Sequence, residues 1–368
     1  EALLYGFFEE AVYGLANFSR ALVHVTAQYT EANRIGLLAQ SFLVGHKNEH
    51  ALRVRFPLLI HVSAGVLWEP GQSIPVHCMN GYQSGMIVGD IENSMMCGFL
   101  VCQSRFHTSS ELKALQGTCC NFIRQMVKHN QLGVMNSTLC IYATCAELTG
   151  EKHDNSSGLG IKTIKELITT ANQTNNMFLL HHIYLNRMFI HFYFREYIQL
   201  LEIADAHKLL KEKRVMNFLR VFFVGISSLS LARDTHQKHY REFGEQAVEI
   251  FVPLVNFSKH NFETKLFLLQ AELHYLNGNH DEAEVAYENS IESSRKYKFK
   301  SDEAVAHELY GIFLVERNMF DRGMLHLSTS LSKYRDWGAE LKVKEVISFM
   351  EGLFTAKTTW NNKYRQII

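Results

Sequence analysis

Residues 265–291, which read KLFLLQAELHYLNGNHDEAEVAYENSI, decide the fold class of this chain. Their first part repeats leucine at intervals of three, four and three residues, so these leucines lie on one face of a helix. Gly278 then stands between two asparagines, a pattern typical of a helix end and a turn. Asp281 and Glu282 follow, and acidic residues favour the beginning of a helix. The stretch therefore predicts two helices joined by a tight turn.

The same pattern returns one hairpin later. The tetratricopeptide repeat (TPR) places small residues where its two helices meet, a glycine near the turn and an aromatic residue on the second helix. The positions interpreted as structural repeat positions are Ala271, Gly278, Ala283, Tyr287, Gly311, Gly323, Trp337 and Gly338. Ala283 and Gly323 are 40 residues apart, against roughly 34 in the standard repeat. The sequence therefore predicts an all-α fold, a right-handed TPR-like superhelix of about seven helical hairpins.

Two segments carry strong loop signals and divide the pattern of helices. Glu69–Pro75 contains two prolines and a glycine, and Thr149–Gly160 is rich in glycine, serine, asparagine and charge. We predict a helical half over residues 1–150, a loop over 151–160 and a second, TPR-like half over 161–368. The alternative is a long loop between two helices of one continuous array. The chain begins with Glu1 and not with methionine, which predicts either a segment of a longer polypeptide or a processed chain.

Charge and cysteine content argue against several classes of protein. Lysine plus arginine and aspartate plus glutamate number 37 each, and this balance disfavours a nucleic-acid-binding protein. The seven cysteines include no Cys-x-x-Cys pair and are predicted to be small buried side chains of a cytoplasmic protein. The most apolar stretch, Val215–Ala232, contains an arginine, an asparagine and several serines. It is therefore predicted to be a buried helix and not a membrane span.

Several stretches resemble one family of proteins. They are Ser84–Ser94, Asn261–Leu273, Ala283–Ile291, Asp302–Leu309 and above all Tyr334–Val343, which reads YRDWGAELKV. Together they resemble the helical region of very large multi-domain signalling ATPases, or multi-sensor signalling kinases. Members of that family carry a serine/threonine-kinase-like domain, an AAA-type ATPase and a long helical repeat region. A sensory and output part follows, such as GAF plus histidine kinase or a cyclase.

This resemblance implies a regulatory, protein-interacting solenoid that couples the sensing of a ligand or partner to flanking catalytic domains. None of the kinase or ATPase motifs of the family occurs in this sequence, so no catalytic, cofactor-binding or metal-binding residue is carried over. For this segment we expect no enzyme activity and no cofactor, and we expect protein or intramolecular domain partners. Neither membrane insertion nor nucleic-acid binding is expected. A free-standing TPR-like scaffold, an unrecognised enzyme and a nucleic-acid-binding repeat are the alternatives.

Three patterns come near to catalytic or metal-binding motifs without matching them. Ser157–Thr163 is similar to a phosphate-binding loop, but Ile161 separates the glycine from the lysine that must adjoin it. Gly81–Gly85 lacks the Gly-x-Ser-x-Gly spacing of a nucleophile elbow, and close helix packing is the better interpretation. The histidine pairs, such as His274 with His280, lack the further ligands that zinc needs. We therefore predict no catalytic, phosphate or metal site.

One cluster of aromatic residues is the candidate surface for a partner. Phe189, Tyr193 and Tyr197 recur at helical spacing, and His274 is added to them as a further candidate. Such a stripe forms either a groove for a protein or peptide or a part of the hydrophobic core, and aromatic residues at helical spacing are more often core. The basic run Arg295–Lys300 interleaves aromatic rings with charge, and it is interpreted as a helix end, where cations are favoured.

Overall fold

The chain is helical throughout the part that the structure describes. The computed structural model describes residues 9–26, 28–42, 49–58, 65–151, 163–206 and 218–365. Over these ranges it contains seventeen α-helices and no strand, with a π-helical turn at Leu22–Thr26 and 3₁₀ turns at Gly65–Leu67 and Gly71–Ser73. The predicted all-α class is confirmed.

Most of the helices follow one another with short connections. Those of the first half are α1 (Glu9–Ala21), α2 (Tyr29–Ser41), α3 (Glu49–Phe56), α4 (Ile74–Val88), α5 (Ile91–His107), α6 (Leu112–Lys128) and α7 (Leu132–Thr149). Those of the second half are α8 (Ile164–Gln173), α9 (Met177–Tyr193), α10 (Tyr197–Ala206), α11 (Phe218–Thr235), α12 (Lys238–Phe257), α13 (Lys259–Leu276), α14 (His280–Lys296), α15 (Lys300–Glu316), α16 (Phe320–Trp337) and α17 (Glu340–Arg365). The connections before α4, α8 and α11 are longer than the others.

The turns between the last helices repeat every 20 residues. A left-handed backbone conformation occurs at Gly278 (φ 78°), Lys298 (φ 61°), Asn318 (φ 63°) and Gly338 (φ 92°). At Lys298 the turn closes as a Schellman motif, in which the amide of Phe299 donates to the carbonyl of Ser294. One helix with its turn takes 20 residues, so one hairpin takes 40. The period of the turns explains why the repeat is longer than the standard one.

Small residues lie where neighbouring helices come closest. A Cβ atom on Gly311 would lie 2.9 Å from the backbone oxygen of Gly323, and one on Gly323 would lie 2.8 Å from that of Gly311. The two glycines therefore set how near α15 and α16 approach. Gly81 acts in the same way, because its Cβ would lie 2.9 Å from the Cys97 sulfur. The Gly81–Gly85 stretch lies within α4 and packs closely on α5, in agreement with its interpretation as a helix contact.

The odd-numbered helices form an inner layer from α5 onward. Each of α5, α7, α9, α11 and α13 contacts the next odd-numbered helix as well as its neighbours along the chain. The inner helices are the more buried ones: in α15 thirteen residues are buried, whereas six are buried in the following α16. The last helix, α17, contacts α16 and also α7. The molecule is a helical-hairpin solenoid whose end returns to its first half.

The interior of the solenoid is filled by aromatic side chains from both halves of the chain. The ring centroids of Phe106 and Phe189 lie 4.8 Å apart, and those of Tyr193 and Trp337 lie 4.9 Å apart. The ring of Phe223 meets that of Phe189 edge-on at 4.6 Å. These five residues come from α5, α9, α11 and α16 and belong to one continuous hydrophobic core. The two halves are therefore joined through their interior.

The predicted boundary between the halves lies mostly outside the described residues. Glu151 is the last described residue before it, and Thr163 begins α8 through a capping box with Glu166. Apart from Thr163, the phosphate-loop-like stretch Ser157–Thr163 also lies outside the described residues. Leu341 of α17 lies beside Gly150, where a Cβ atom would be 3.7 Å away. The division into residues 1–150, 151–160 and 161–368 stays a prediction.

Residues 218–232 of the most apolar stretch lie in α11, in the core, and residues 215–217 lie outside the described residues. Phe222 and Phe223 are each 2% exposed and contact the rings of Phe192 and Phe189. Of all the helices within the described ranges, none combines the length and the apolar character that a membrane span requires.

Candidate functional site

The interior also holds charged side chains, which are unusual in a hydrophobic core. Lys342 is 0% exposed, Glu272 1% and Glu308 3%. An isolated buried charge costs several kcal/mol, so such groups persist only when other charges and hydrogen bonds compensate them. The structure provides partners for all three, and these partners come from helices that are distant in sequence. The resulting clusters form the candidate functional site.

The first cluster surrounds Glu308 in α15. Its carboxylate accepts hydrogen bonds from the Lys342 Nζ at 2.7 Å and from the Tyr334 hydroxyl at 2.6 Å. The Arg195 Nε lies 3.2 Å away on the same carboxylate. Glu345 binds both cations, at 2.6 Å from the Arg195 Nη2 and 2.6 Å from the Lys342 Nζ. Two cations therefore face two carboxylates where the α9–α10 turn, α15, α16 and α17 meet.

The second cluster surrounds Glu272 in α13. The Arg233 Nη1 and the Tyr287 hydroxyl each lie 2.5 Å from its carboxylate. The guanidinium of Arg233 also lies over the Tyr275 ring, 4.4 Å from its centroid, just as that of Arg195 lies 4.3 Å from the Phe349 centroid. Each cluster thus combines an inner-helix carboxylate, a tyrosine hydroxyl, an arginine and an aromatic ring. A planar guanidinium suits this use, since it can stack on a ring and bind a carboxylate at once.

Tyr197 lies between the two clusters. Burial raises the pKa of its hydroxyl, and the carboxylates of Glu272 and Glu308 raise it further. The opposing effect of Arg195 and Arg233 on this pKa is smaller. Tyr197 is therefore a neutral phenol at physiological pH, half-buried beside two carboxylates and two guanidinium groups.

A third cluster lies at the start of α15. The Lys265 Nζ binds the Asp302 carboxylate at 2.5 Å, and the Ser109 and Ser301 hydroxyls share a hydrogen bond of 2.7 Å. Burial, followed by the charge of Lys265, lowers the pKa of His107 to about 4. His107 is therefore neutral at physiological pH. The cluster connects the end of α5 in the first half with α13 and α15 in the second.

The residues of the predicted partner surface lie partly in the hydrophobic core and partly beside the charged clusters. Phe189 is 3% exposed and Tyr193 is 4% exposed, so these two rings are core residues and offer no surface to a partner. That corrects their candidacy and agrees with the alternative interpretation, because α9 is packed against α7, α8, α10 and α11. Tyr197 is half-buried between the charged clusters. His274 is half-buried in α13, and its Nδ1 has no hydrogen-bond partner among the described residues.

The titratable groups of the interior are engaged with one another. Glu308, Glu272 and Asp302 are each bound by at least one cation. Burial lowers the pKa of His182 to about 3 and raises the pKa of Cys97 to about 12, so both side chains are uncharged at neutral pH. Within the described ranges, no three histidine, cysteine or acidic side chains are placed to hold a metal ion. The arrangement is suited to holding helices together.

Sequence reasoning did not find this network. The sequence marks Glu308 and Lys342 only as members of stretches that resemble the signalling family, and Arg195 stands in a turn. One usable signal is that Glu272 directly follows Ala271 on the buried side of α13. A charge at a core position needs a partner, but sequence spacing cannot say which distant residue supplies it.

Together the helices, turns and filled interior define an α-helical repeat solenoid. The chain matches no protein-family model and no curated protein. Among solved structures it is similar to a "circular tandem repeat protein with novel repeat topology and enhanced subunit contact surfaces". The sequence identity is 10% over 97% of this chain and 98% of that chain, and the TM-score is 0.20. A TM-score this low supports no argument, so the fold assignment rests on the features described above.

Proposed function

We propose that this chain is a non-catalytic regulatory solenoid of a large signalling ATPase or kinase. In that role it couples the sensing of a partner or ligand to flanking catalytic domains. The observation that carries the proposal concerns the segment with the strongest resemblance to that family, Tyr334–Val343. Within it, Tyr334 and Lys342 both bind Glu308, and the Trp337 ring packs against Tyr193 in the interior. Residues of the segment with the strongest resemblance thus join α16 and α17 to the other helices.

This arrangement favours coupling between the last helices and the middle of the chain. The Glu308 cluster connects the α9–α10 turn with the last three helices, and the Lys265–Asp302 cluster connects them to α5. A force on α17 therefore acts on buried charges, whose separation carries a large free-energy penalty.

The test begins with the complete reading frame around this chain. A kinase-like domain and an ATPase before it, with a sensory output after it, would support the proposal. A reading frame that encodes helical repeats alone would contradict it and favour the free-standing scaffold.

A second measurement tests coupling in the complete polypeptide. Tyr334→Phe removes one hydroxyl from the Glu308 cluster and leaves the ring in place. We expect it to change the response of nucleotide hydrolysis to the activating partner by about fivefold, a change of the size that allosteric coupling typically produces. Tyr240→Phe, at a half-buried tyrosine outside the network, is the matched control. Equal responses of both variants and the natural protein would count against coupling through this cluster.

The free-standing scaffold has one observation in its favour. Val285 is 58% exposed and Leu325 is 66% exposed, and they occupy equivalent positions of α14 and α16, 40 residues apart. Repeated apolar side chains on the outer helices are typical of a docking strip for a protein partner. Replacing both with serine should abolish capture of that partner if the strip is used, while the same change at the isolated Val252 should not. Unchanged capture would remove this alternative.

A further inference from the structure

Residues 65–73, here called the strap, directly precede α4 and lie against the second half of the chain. Asn261, at the start of α13, provides the main contact, and its side chain is directed at the strap backbone. The Gly71 amide donates to the Asn261 Oδ1 at 2.8 Å. The Asn261 Nδ2 donates to the carbonyl oxygens of Val66 and Glu69, each at 2.8 Å. One buried side chain therefore satisfies three backbone groups about 190 residues away in sequence.

The strap depends on these bonds, because its backbone is only partly paired within itself. Its short 3₁₀ turns use the carbonyls of Gly65 and Pro70, which accept from Trp68 and Ser73. The carbonyls of Val66 and Glu69 are the ones that Asn261 binds. A buried backbone group without a partner costs about as much as a lost hydrogen bond, so the strap stays in place through the second half of the chain.

A second contact extends the same surface. The Gln72 side chain donates from its Nε2 to the carbonyl of Tyr297, in the turn between α14 and α15, at 2.8 Å. Gly71 has little room for a side chain, because a Cβ atom there would lie 3.2 Å from the Asn261 Oδ1 and 3.2 Å from the Thr108 Cγ2. The second half therefore binds three backbone groups of the strap through Asn261, and it binds the Gln72 side chain through the Tyr297 carbonyl.

We propose that Asn261 is the centre of a peptide-backbone-binding site on the second half, occupied in this chain by its own strap. The site binds a short peptide segment through three backbone groups. These are two carbonyl oxygens placed like those of Val66 and Glu69 and one amide placed like that of Gly71, and the residue that supplies the amide is glycine. Exchange of the strap for an equivalent segment is therefore a way to release the first half from the second. The inference stands on these contacts and does not depend on the proposed signalling role.

The experiment uses the full chain and a labelled synthetic peptide of residues 65–73 as the probe. Gly71→Val displaces the strap and leaves Asn261 intact, whereas Asn261→Ala removes the site. Asn279→Ala is the matched control, since Asn279 is exposed and its side chain caps no helix. If Gly71→Val does not fold, Gly71→Ala replaces it, because its single added Cβ is already in a tight contact.

We expect the peptide to bind the Gly71→Val chain at least about tenfold more tightly than the natural chain, whose site is filled. It should not bind the double variant with Asn261→Ala. Hydrogen exchange of the strap amides should be about tenfold faster in Asn261→Ala than in Asn279→Ala. Equal binding of the peptide to the single and double variants would overturn the proposal, as would unchanged exchange of the strap in Asn261→Ala.

Discussion

Lys298 shows at the scale of one residue how the turn geometry overrides side-chain preference. Its left-handed backbone, φ 61°, is disfavoured for a residue with a Cβ atom, and its side chain is exposed. We expect Lys298→Gly to raise the free energy of unfolding by about 1 kcal/mol, because glycine adopts this conformation without the steric penalty. Urea denaturation followed by circular dichroism measures the change.

The control for this prediction is a lysine inside a helix. Lys344 is exposed in α17, where glycine is less favourable than lysine, so Lys344→Gly should lower the free energy of unfolding by about 1 kcal/mol. Effects of the same sign in both variants would show that the left-handed turn is not the cause.

The turns between the last helices differ in how readily the sequence predicts them. Gly278 and Gly338 allow their turns to be predicted from the sequence, because glycine is the usual residue at a left-handed helix end. Lys298 occupies an equivalent position and carries no such mark. Its conformation is imposed by the helices on either side, so the regular 20-residue period became visible only in the structure.

At the scale of elements, the approach of α15 and α16 depends on Gly311. A Cβ atom there would meet the backbone oxygen of Gly323 at 2.9 Å, and backbone cannot move aside as a flexible side chain can. We expect Gly311→Ala to lower the free energy of unfolding by about 2 kcal/mol or more, through forced separation of the two helices. Thermal or urea denaturation of the purified chain tests this.

The Gly117→Ala substitution is the matched control for Gly311→Ala. It is exposed in α6, and a Cβ atom added there would meet nothing within 4 Å. Gly117→Ala should therefore raise the free energy of unfolding by about 1 kcal/mol, since alanine favours a helix over glycine. If Gly311→Ala were also stabilising, close contact would not be its role.

The contact between α15 and α16 also predicts a pH dependence. The Nδ1 atoms of His307 and His326 lie 3.0 Å apart, so the two rings share one hydrogen bond and resist protonation. Burial lowers the pKa of His307 to about 3, and the charges of His326, Arg295 and Lys333 act in the same direction. The groups that face His326 are Tyr310, Arg322, Glu284 and Glu288, and its pKa is also lowered, chiefly by burial.

A lowered pKa in the folded state means that the unfolded chain binds the proton more readily. The stabilisation is complete above the ordinary histidine pKa of about 6.5 and is lost as the pH falls from there towards about 3. At pH 5 the loss for His307 should be about 2 kcal/mol relative to pH 7.5. Urea midpoints at the two pH values measure it, and His307→Gln should reduce the difference. An equal difference in both proteins would exclude His307 as its source.

At the scale of the whole molecule, Glu308 holds the last helices of the array to the α9–α10 turn in its middle. Glu308→Ala would leave Lys342 and Arg195 with Glu345 as their remaining carboxylate. Removal of one partner from a buried charged cluster costs about 3–5 kcal/mol, and we expect a loss of that size in the free energy of unfolding. Hydrogen exchange should show the loss of protection in α17 before other helices.

An exposed ion pair serves as the comparison for the buried cluster. Glu284 binds Arg322 at 2.8 Å, and the Arg322 side chain is 51% exposed. Glu284→Ala should lower the free energy of unfolding by about 1 kcal/mol or less, because solvent screens exposed pairs. Similar losses in Glu284→Ala and Glu308→Ala would mean that burial does not strengthen the interior cluster.

The amino-acid sequence on its own determines the local features of this protein. The spacing of leucines along residues 265–276 predicts an inner helix, and Gly311 with Gly323 marks a close helix contact. The 40-residue offset is also present in the sequence. These features depend on residues within one or two helices of each other, so their physical cause, helical periodicity and the absence of a side chain, can be read directly.

Tertiary structure alone decides how distant segments meet. Glu308 with Arg195, and Asn261 with the strap at Gly71, are pairs separated by more than 100 residues. The packing of α9 against neighbouring helices also places Phe189 and Tyr193 in the core and not on a partner surface. Sequence periodicity states which face of a helix is buried, but it does not state what covers that face. The partners of the buried charges and of the strap backbone follow only from the superhelical path of the whole chain.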